Sequence, residues 1–282
     1  MNPLDDLPRL RDVADAFSLR ARKSLGQNFL FDENVLDRIA RSAGNLEGAV
    51  VVEIGPGPGG LTRAVLRAGA RRVLAIEMDR RCCAALSGLR DAAAGRLAIH
   101  EGDALECDLH QILEPESVVM GNLPFNSSTR LAMRLIEHRH MIDRMILMFQ
   151  KEVAERLVAA PGTRQYGRLS VLVQWLCRVE WCFGIDSASF VPAPKVRAAV
   201  VRITPRGTPL SPAPEPVLRA LTQAGFGQRR KVLRNALGTV SRDPQDLLHC
   251  AGLDPRARAE DVDVASWCAL AREHAKRTAT KS

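Results

Sequence analysis

The chain is 282 residues long and carries a formal net charge of +8, with an isoelectric point near 9.5. That balance points to an anionic partner, nucleic acid before membrane. The length allows one large core with a smaller domain appended, and 46% apolar beside 26% charged residues is ordinary for a globular protein.

No apolar run is long enough to span a membrane. The start, with Asp5, Asp6, Asp12 and Asp15, is too acidic for a transit peptide and lacks the apolar core of a signal peptide. A cytoplasmic location is expected. Seven cysteines are an odd number, and none form CxxC pairs at zinc-like spacing, so they read as reduced thiols. Vicinal Cys82-Cys83 reads as helix packing rather than redox chemistry. The histidines, His138 and His140 among them, show no ligand spacing, so no metal is expected. Arginine supplies most of the positive charge; it grips phosphate bidentately and stacks on bases, though genomic base composition would enrich it just as well.

Residues 1 to about 19 read as a short helical or loose leader. Arg20, Arg22 and Lys23 then precede a Gly26-Gln27-Asn28-Phe29 turn and Leu30, and Asp32 opens a helix carrying Val35, Leu36, Ile39 and Ala40. Two readings fit: a basic surface before a capped helix, or a lid in which cations meet phosphate while Gln27 and Asn28 hydrogen-bond a small ligand.

Next, Val50-Val51-Val52-Glu53-Ile54 is an apolar strand running into Gly55-Pro56-Gly57-Pro58-Gly59-Gly60, which opens a helix with Leu61, Ala64, Val65 and Leu66. Glycines 55, 57 and 60 fit GxGxxG, and Glu77 ends a second strand, Arg72 to Ile76. By spacing alone this is also a dinucleotide fingerprint. Against it, Pro56 and Pro58 remove backbone N–H donors from the turn that should cradle a pyrophosphate, and Glu53 would put negative charge beside it. A ligand without phosphates, such as S-adenosylmethionine, tolerates both. Glu77 would then take the ribose hydroxyls, while Gly55 and Gly57 let the methionine part approach the backbone.

A third strand, Arg96 to His100, leads into Glu101-Gly102-Asp103-Ala104. Asp103 can accept an adenine amino group, with the Ala104 N–H facing a ring nitrogen; by itself Asp103 is equally a turn residue. A fourth apolar run, Val118-Val119-Met120, ends in Gly121-Asn122-Leu123-Pro124-Phe125-Asn126, and a helix with Leu131, Ala132, Leu135 and Ile136 follows. Glu53, Glu77, Asp103 and Asn122 thus lie at the ends of four successive strands, the edge where open α/β sheets bind ligands. An exocyclic amine is a weak nucleophile until it pyramidalises. The Asn122 oxygen and Leu123 carbonyl can accept its N–H groups, Pro124 stiffens the loop and Phe125 offers a stacking face, which favours the transition state over the flat ground state. The tetrad alone also fits a corner in which Asn122 caps a turn.

Met145 to Phe149 is a fifth strand entering a helix over 151–160; a helix through Val171, Leu172 and Trp175 follows Tyr166-Gly167-Arg168. Pro192 and Pro194 hold Phe190 to Lys195 extended. Phe190 is either a core plug or the second wall of a base clamp opposite Phe125. Val196 to Ile203 reads as a final, antiparallel strand. The prolines at 205, 209, 212, 214 and 216 then mark a linker or long turn. Beyond it the pattern is helical, and from residue 206 there are 13 Lys+Arg against 8 Asp+Glu, +5 of the total. Arg229, Arg230, Lys231 and Arg234 cluster at one expected helix start, where cations oppose the helix dipole. That mild cost suggests a phosphate partner. The expected domains are 1–205, with 1–31 as a basic lid, and 206–282.

The chain resembles the ribosomal RNA adenine N6-dimethyltransferase family, and within it the bacterial small-subunit (16S) branch. The resemblance rests on Lys23 to Leu30, Glu53 to Gly59, Glu77-Met78-Asp79, Gly102-Asp103-Ala104 and Gly121 to Phe125, then on 150–154, 166–171, 190–196 and 226–231. It implies a Rossmann-like α/β class I methyltransferase: a mostly parallel seven-stranded sheet with helices on both faces, plus a small all-helical C-terminal domain. It also implies that Gln27, Asn28, Leu30, Gly55, Glu77, Met78, Asp103 and Asn122 contact S-adenosylmethionine, with S-adenosylhomocysteine as product, and that Asn122 to Phe125 hold the target amine. The implied reaction is N6,N6-dimethylation of two adjacent adenosines near the 3′ end of 16S rRNA in the pre-30S subunit during ribosome biogenesis, by a monomer. Arg20, Arg22, Lys23, Lys195 and the 229–234 cations are the expected RNA contacts. Two departures stand out: the family commonly has tyrosine at Phe125 and proline at Arg130. The first keeps the stacking face, so activity is expected to survive; the second reads as a neutral change. A large-subunit (23S) dimethyltransferase conferring macrolide resistance, or a non-catalytic assembly factor, would fit the same fold.

Overall fold

The computed structural model describes residues 3–22 and 25–279; Lys23 lies outside them. The strands are β1 (Phe29–Leu30), β2 (Val50–Ile54), β3 (Arg72–Glu77), β4 (Leu97–Glu101), β5 (Ser117–Asn122), β6 (Ile142–Gln150), β7 (Cys177–Ile185), β8 (Phe190–Val191) and β9 (Ala198–Pro205). Seven of them form one sheet in the order β4-β3-β2-β5-β6-β9-β7. β2, with three consecutive valines, is buried at all five positions, as a strand covered on both faces must be. β4, β3, β2, β5 and β6 run parallel, and β9 returns antiparallel along β6. The edge strand β7 has no counterpart among the sequence expectations, because its burial does not follow a clean alternation.

The chain lays β3 and β4 on one side of β2, then crosses back to place β5 and β6 on the other. Such a reversal opens a crevice at the carboxyl ends of the strands. Ile54 pairs with both Ile76 and Gly121, so Gly55, Glu77 and Asn122 leave the sheet at one level. Gly121 is required by the pairing itself: a Cβ there would stand 2.6 Å from the Ile54 carbonyl oxygen.

The leader is tied down rather than loose. Leu4 and Leu10, the latter opening helix Leu10–Ala16, are buried in the same core as Val51, Leu61 and Val65. Arg63 donates to the Pro8 carbonyl at 2.7 Å and Arg67 to that of Leu4 at 3.2 Å. A separate two-stranded sheet pairs β1 with β8, Leu30 opposite Phe190.

The chain divides into two compact units, 1–154 with 180–205, and 155–179 with 206–282. Segment 155–179 therefore groups with the C-terminal helices, not with the sheet as the 1–205 boundary would have it. Tyr166 is one tie: it donates its hydroxyl to the Val262 carbonyl at 3.0 Å and sets its ring edge-on to Phe226, which meets Trp267 in turn, while the Trp175 indole donates to the Ser211 carbonyl at 2.8 Å.

Candidate active site

A cavity of about 300 Å³ opens at the switch point between β2 and β5, lined by the ends of all the parallel strands except β4 itself and by the turn after β4. Every expected donor contact lines it: Gln27, Asn28, Leu30, Glu53, Gly55, Gly57, Glu77, Met78, Asp103, Ala104 and Asn122. So do Leu123, Pro124 and Phe125.

Residues 55–59 of the glycine loop spend their N–H donors inside the protein. The N–H groups of Gly55, Gly57 and Gly59 donate to the Ile76 carbonyl, the Glu77 carboxylate and the Pro56 carbonyl at 2.9 to 3.0 Å, and Pro56 and Pro58 have none. None of these N–H groups is left for a pyrophosphate, and any anion would have to meet the uncapped first turn of helix Gly60–Arg67 instead. Gly57 has φ +55°, and a Cβ on it would lie 3.2 Å from the Phe29 ring, so the loop cannot exchange this glycine for a larger residue and keep its shape.

Glu77 is buried and held from both sides. Its Oε2 accepts the Gly57 N–H at 3.0 Å and its Oε1 the Asp79 N–H at 2.9 Å. Burial raises its pKa, and those two donors work against the rise. Each oxygen keeps a lone pair for a diol. Asp103 is similar but more open: Oδ1 accepts the Leu105 N–H at 2.8 Å, and Oδ2 has no partner among the described residues. The buried Glu77, the half-buried Asp103, the spent Gly55–Gly59 donors and the aliphatic floor from Ile54, Ile76 and Leu105 suit a nucleoside without phosphates, and hence S-adenosylmethionine.

Three expected roles change. Glu53 is 1% exposed and accepts the Thr62 hydroxyl at 2.6 Å, and burial pushes its pKa up to about 8. It is mostly protonated near neutrality, so the case against a pyrophosphate rests on missing N–H donors rather than on its charge. Gln27 is used as a clasp: Nε2 donates to Asp79 at 3.0 Å and Oε1 accepts the Arg22 N–H at 3.0 Å. Asp79 itself is held down to about 2 by the Arg81 guanidinium. Phe190 does not line the cavity; at 2% exposure it sits in the core between β8 and Leu30, so its ring is covered and cannot stack on a base as placed here.

On the β5 side, Asn122 donates from Nδ2 to the Asn28 carbonyl at 2.9 Å. That bond fixes the carboxamide and leaves Oδ1 as an acceptor with no protein partner among the described residues. Leu123 is buried, while Phe125 is half-buried with its ring packed against the core from the cavity wall. Ser127, at the N-cap of helix Ser128–Glu137, makes no cap bond; its hydroxyl turns back to the Pro124 carbonyl. Arg130, read from the sequence as a neutral change, also lines the cavity; its helical spacing from Ser127 was the available signal.

The expected RNA contacts divide as well. Arg20, Arg22, Lys195, Arg230, Lys231 and Arg234 are exposed. Arg229 is committed to Glu260 at 2.6 Å and to the Arg164 carbonyl at 2.5 Å. Its cluster lies between two helices: Arg229 to Lys231 follow the end of helix Glu215–Gly227, and Arg234 sits in the first turn of the short helix Leu233–Ala236. Arg229 to Lys231 complement the dipole of the first helix, and only Arg234 opposes the dipole of the second. Among the described residues no group of His, Cys, Asp and Glu could hold a metal ion, and no helix is long and apolar enough to cross a membrane.

Residues 18–276 match the family model described as ribosomal RNA adenine dimethylase. A Rhodospirillum rubrum protein named ribosomal RNA small subunit methyltransferase A is 52% identical over 270 residues, covering 96% of this chain and 93% of that one. The crystal structure of a dimethyladenosine transferase from Plasmodium falciparum matches with a TM-score of 0.76 at 26% identity, over 89% of this chain and 98% of that one. The 23S rRNA methyltransferase ErmE shares the fold, with a TM-score of 0.67 at 24% identity over 88% and 100% of the two chains. The chain has the α/β methyltransferase fold and belongs to the ribosomal RNA adenine dimethylase family.

Proposed function

We propose that the chain methylates the N6 amine of adenosines in small-subunit ribosomal RNA twice in succession, using S-adenosylmethionine. The observation that carries the reading is the Asn122 carboxamide, tethered through Nδ2 and free at Oδ1 on the wall of a cavity whose opposite side presents Glu77 and Asp103.

When bound, S-adenosylmethionine supplies an electrophilic methyl group on a sulfonium. The chain's own residues do the rest. Glu77 and Asp103 fix the nucleoside half by its hydroxyls and amino group. Asn122 Oδ1 and the Leu123 carbonyl accept the N–H groups of the target amine as it pyramidalises, and Phe125 stacks on the base. Positive charge arrives on that nitrogen, so no strong base is needed beforehand and the proton leaves afterwards to solvent. Positioning of this kind can supply about 7–11 kcal/mol, while taking the base from its stack costs a few kcal/mol. A monomethylated amine keeps one N–H for the same acceptors, so a second round can follow.

The substrate is read as the assembling small subunit, met by a monomer in the cytoplasm, with Arg20, Arg22, Lys195, Arg230, Lys231 and Arg234 on phosphates. What supports the small-subunit choice is that identity to the small-subunit relative is about twice that to ErmE. The test is transfer of labelled methyl groups to ribosomal subunits from a strain lacking this gene, with mass spectrometry of both RNAs. Dimethyladenosine in the small-subunit RNA is expected. Label confined to the large-subunit RNA, or rescue of the strain by a catalytically dead variant alone, would overturn the reading.

A further inference from the structure

Helix Ser128–Glu137, which follows the Asn122–Phe125 loop, carries a cation that the proposed chemistry does not use. Arg130 is exposed, lines the cavity, and has no hydrogen-bond or ion-pair partner among the described residues. It lies in the first turn, where a cation opposes the helix dipole and no acidic residue offsets it. Ser127, Arg130 and Leu131, spaced i, i+3 and i+4, form one face, and all three line the cavity. That face continues from Asn122, which ends β5; Glu77 ends β3 and Asp103 follows β4, on the far side of β2. Arg130 therefore stands on the side assigned to the target amine, not on the side assigned to the donor nucleoside.

We propose that Arg130 grips a phosphodiester flanking the adenosine whose base enters the cavity. An extruded base brings its own backbone to the mouth of the pocket, and a guanidinium matches two phosphate oxygens with two parallel N–H bonds. The proline usual at this position has no such donors. The contact would hold the sugar–phosphate while the amine reacts, and would hold it again for the second transfer. This inference rests on the proposed function and adds to it a residue that selects a nucleic-acid substrate over a free nucleoside.

The experiment compares wild type, Arg130→Gln and Arg130→Lys in steady-state methyl transfer to undermethylated small subunits across a series of KCl concentrations. For Arg130→Gln the subunit KM should rise about tenfold, more than kcat falls. The slope of log KM against log salt should shrink by about one, the loss of one phosphate contact. Arg130→Lys, with charge but no fork, should recover part of the KM and the full slope. An unchanged subunit KM and slope in Arg130→Gln would overturn the proposal. So would a rise in the donor KM alone, which would assign Arg130 to the donor's carboxylate. Wild-type enzyme that binds S-adenosylhomocysteine yet methylates neither subunit would instead sink the function on which the proposal rests.

Discussion

Glu77 and Asn122 end the two strands that flank β2, at the same level of the sheet, yet their surroundings differ in kind. Glu77 is buried and grasped by two backbone N–H groups, and it joins a loop whose Gly55, Gly57 and Gly59 donors are spent. Asn122 is held by one bond; neither its oxygen nor Arg130 has a partner among the described residues, and both residues line the cavity with the half-buried Phe125. The first side is set before any ligand arrives, which suits a molecule of fixed shape used in every turnover. The second fixes only the acceptor and leaves the wall adaptable, which suits a base delivered on a flexible strand and accepted in two states of methylation.

The contrast can be broken or sharpened by substitution, beginning with the largest effect. Phe190→Ala should lower stability by about 3–5 kcal/mol, the usual cost of emptying an aromatic core position; chemical denaturation measures it. Full stability with lost activity would restore Phe190 to the base clamp. Asn122→Ala should reduce kcat about 10²–10³-fold, the scale for losing one preorganised polar contact to a transition state, and S-adenosylhomocysteine affinity by a smaller factor, through the lost tie to Asn28. A matching loss of donor affinity would erase the distinction between the two sides.

Glu53→Gln is the smallest chemical change, its effect read only as a pH dependence, and it bears on the preset side. The Glu53 pKa rises from 4.5 to about 8 in the folded chain, so the folded state binds the proton more tightly than the unfolded one. Its contribution to stability therefore falls as pH rises from about 4.5 to about 8, by at most about 1.4 kcal/mol per unit. Glutamine can still accept the Thr62 hydroxyl and carries no titrating group. Thermal unfolding across that window should flatten in the variant, leaving the share that belongs to Glu77, whose pKa is also raised. An unaltered slope would show that Glu53 is ionised in the folded state.

The sheet edge was legible because its signals are local. Val50 to Ile54, Val118 to Met120 and Met145 to Phe149 are short apolar runs closed by a glycine or polar residue, and each became a parallel strand. What the sequence hid depends on distant partners. Phe190 reads as a loop aromatic until β8 pairs with Leu30, 160 positions earlier. Arg229 reads as a free cation until Glu260 reaches it. The helix before it ends at Gly227, and its Gly225 packs under Trp267, whose ring would lie 2.7 Å from any Cβ placed there. Tyr166 likewise draws segment 155–179 away from the sheet through a bond to Val262.

The most direct measurement is a calorimetric titration of S-adenosylhomocysteine into wild type and Glu77→Gln. One molecule should bind per wild-type chain. The variant should bind about 10- to 100-fold more weakly, because the carboxamide can accept on only one side and turns its NH2 toward a backbone donor. Equal affinity in the two proteins would place the methyl donor away from Glu77 and contradict the reading of this cavity.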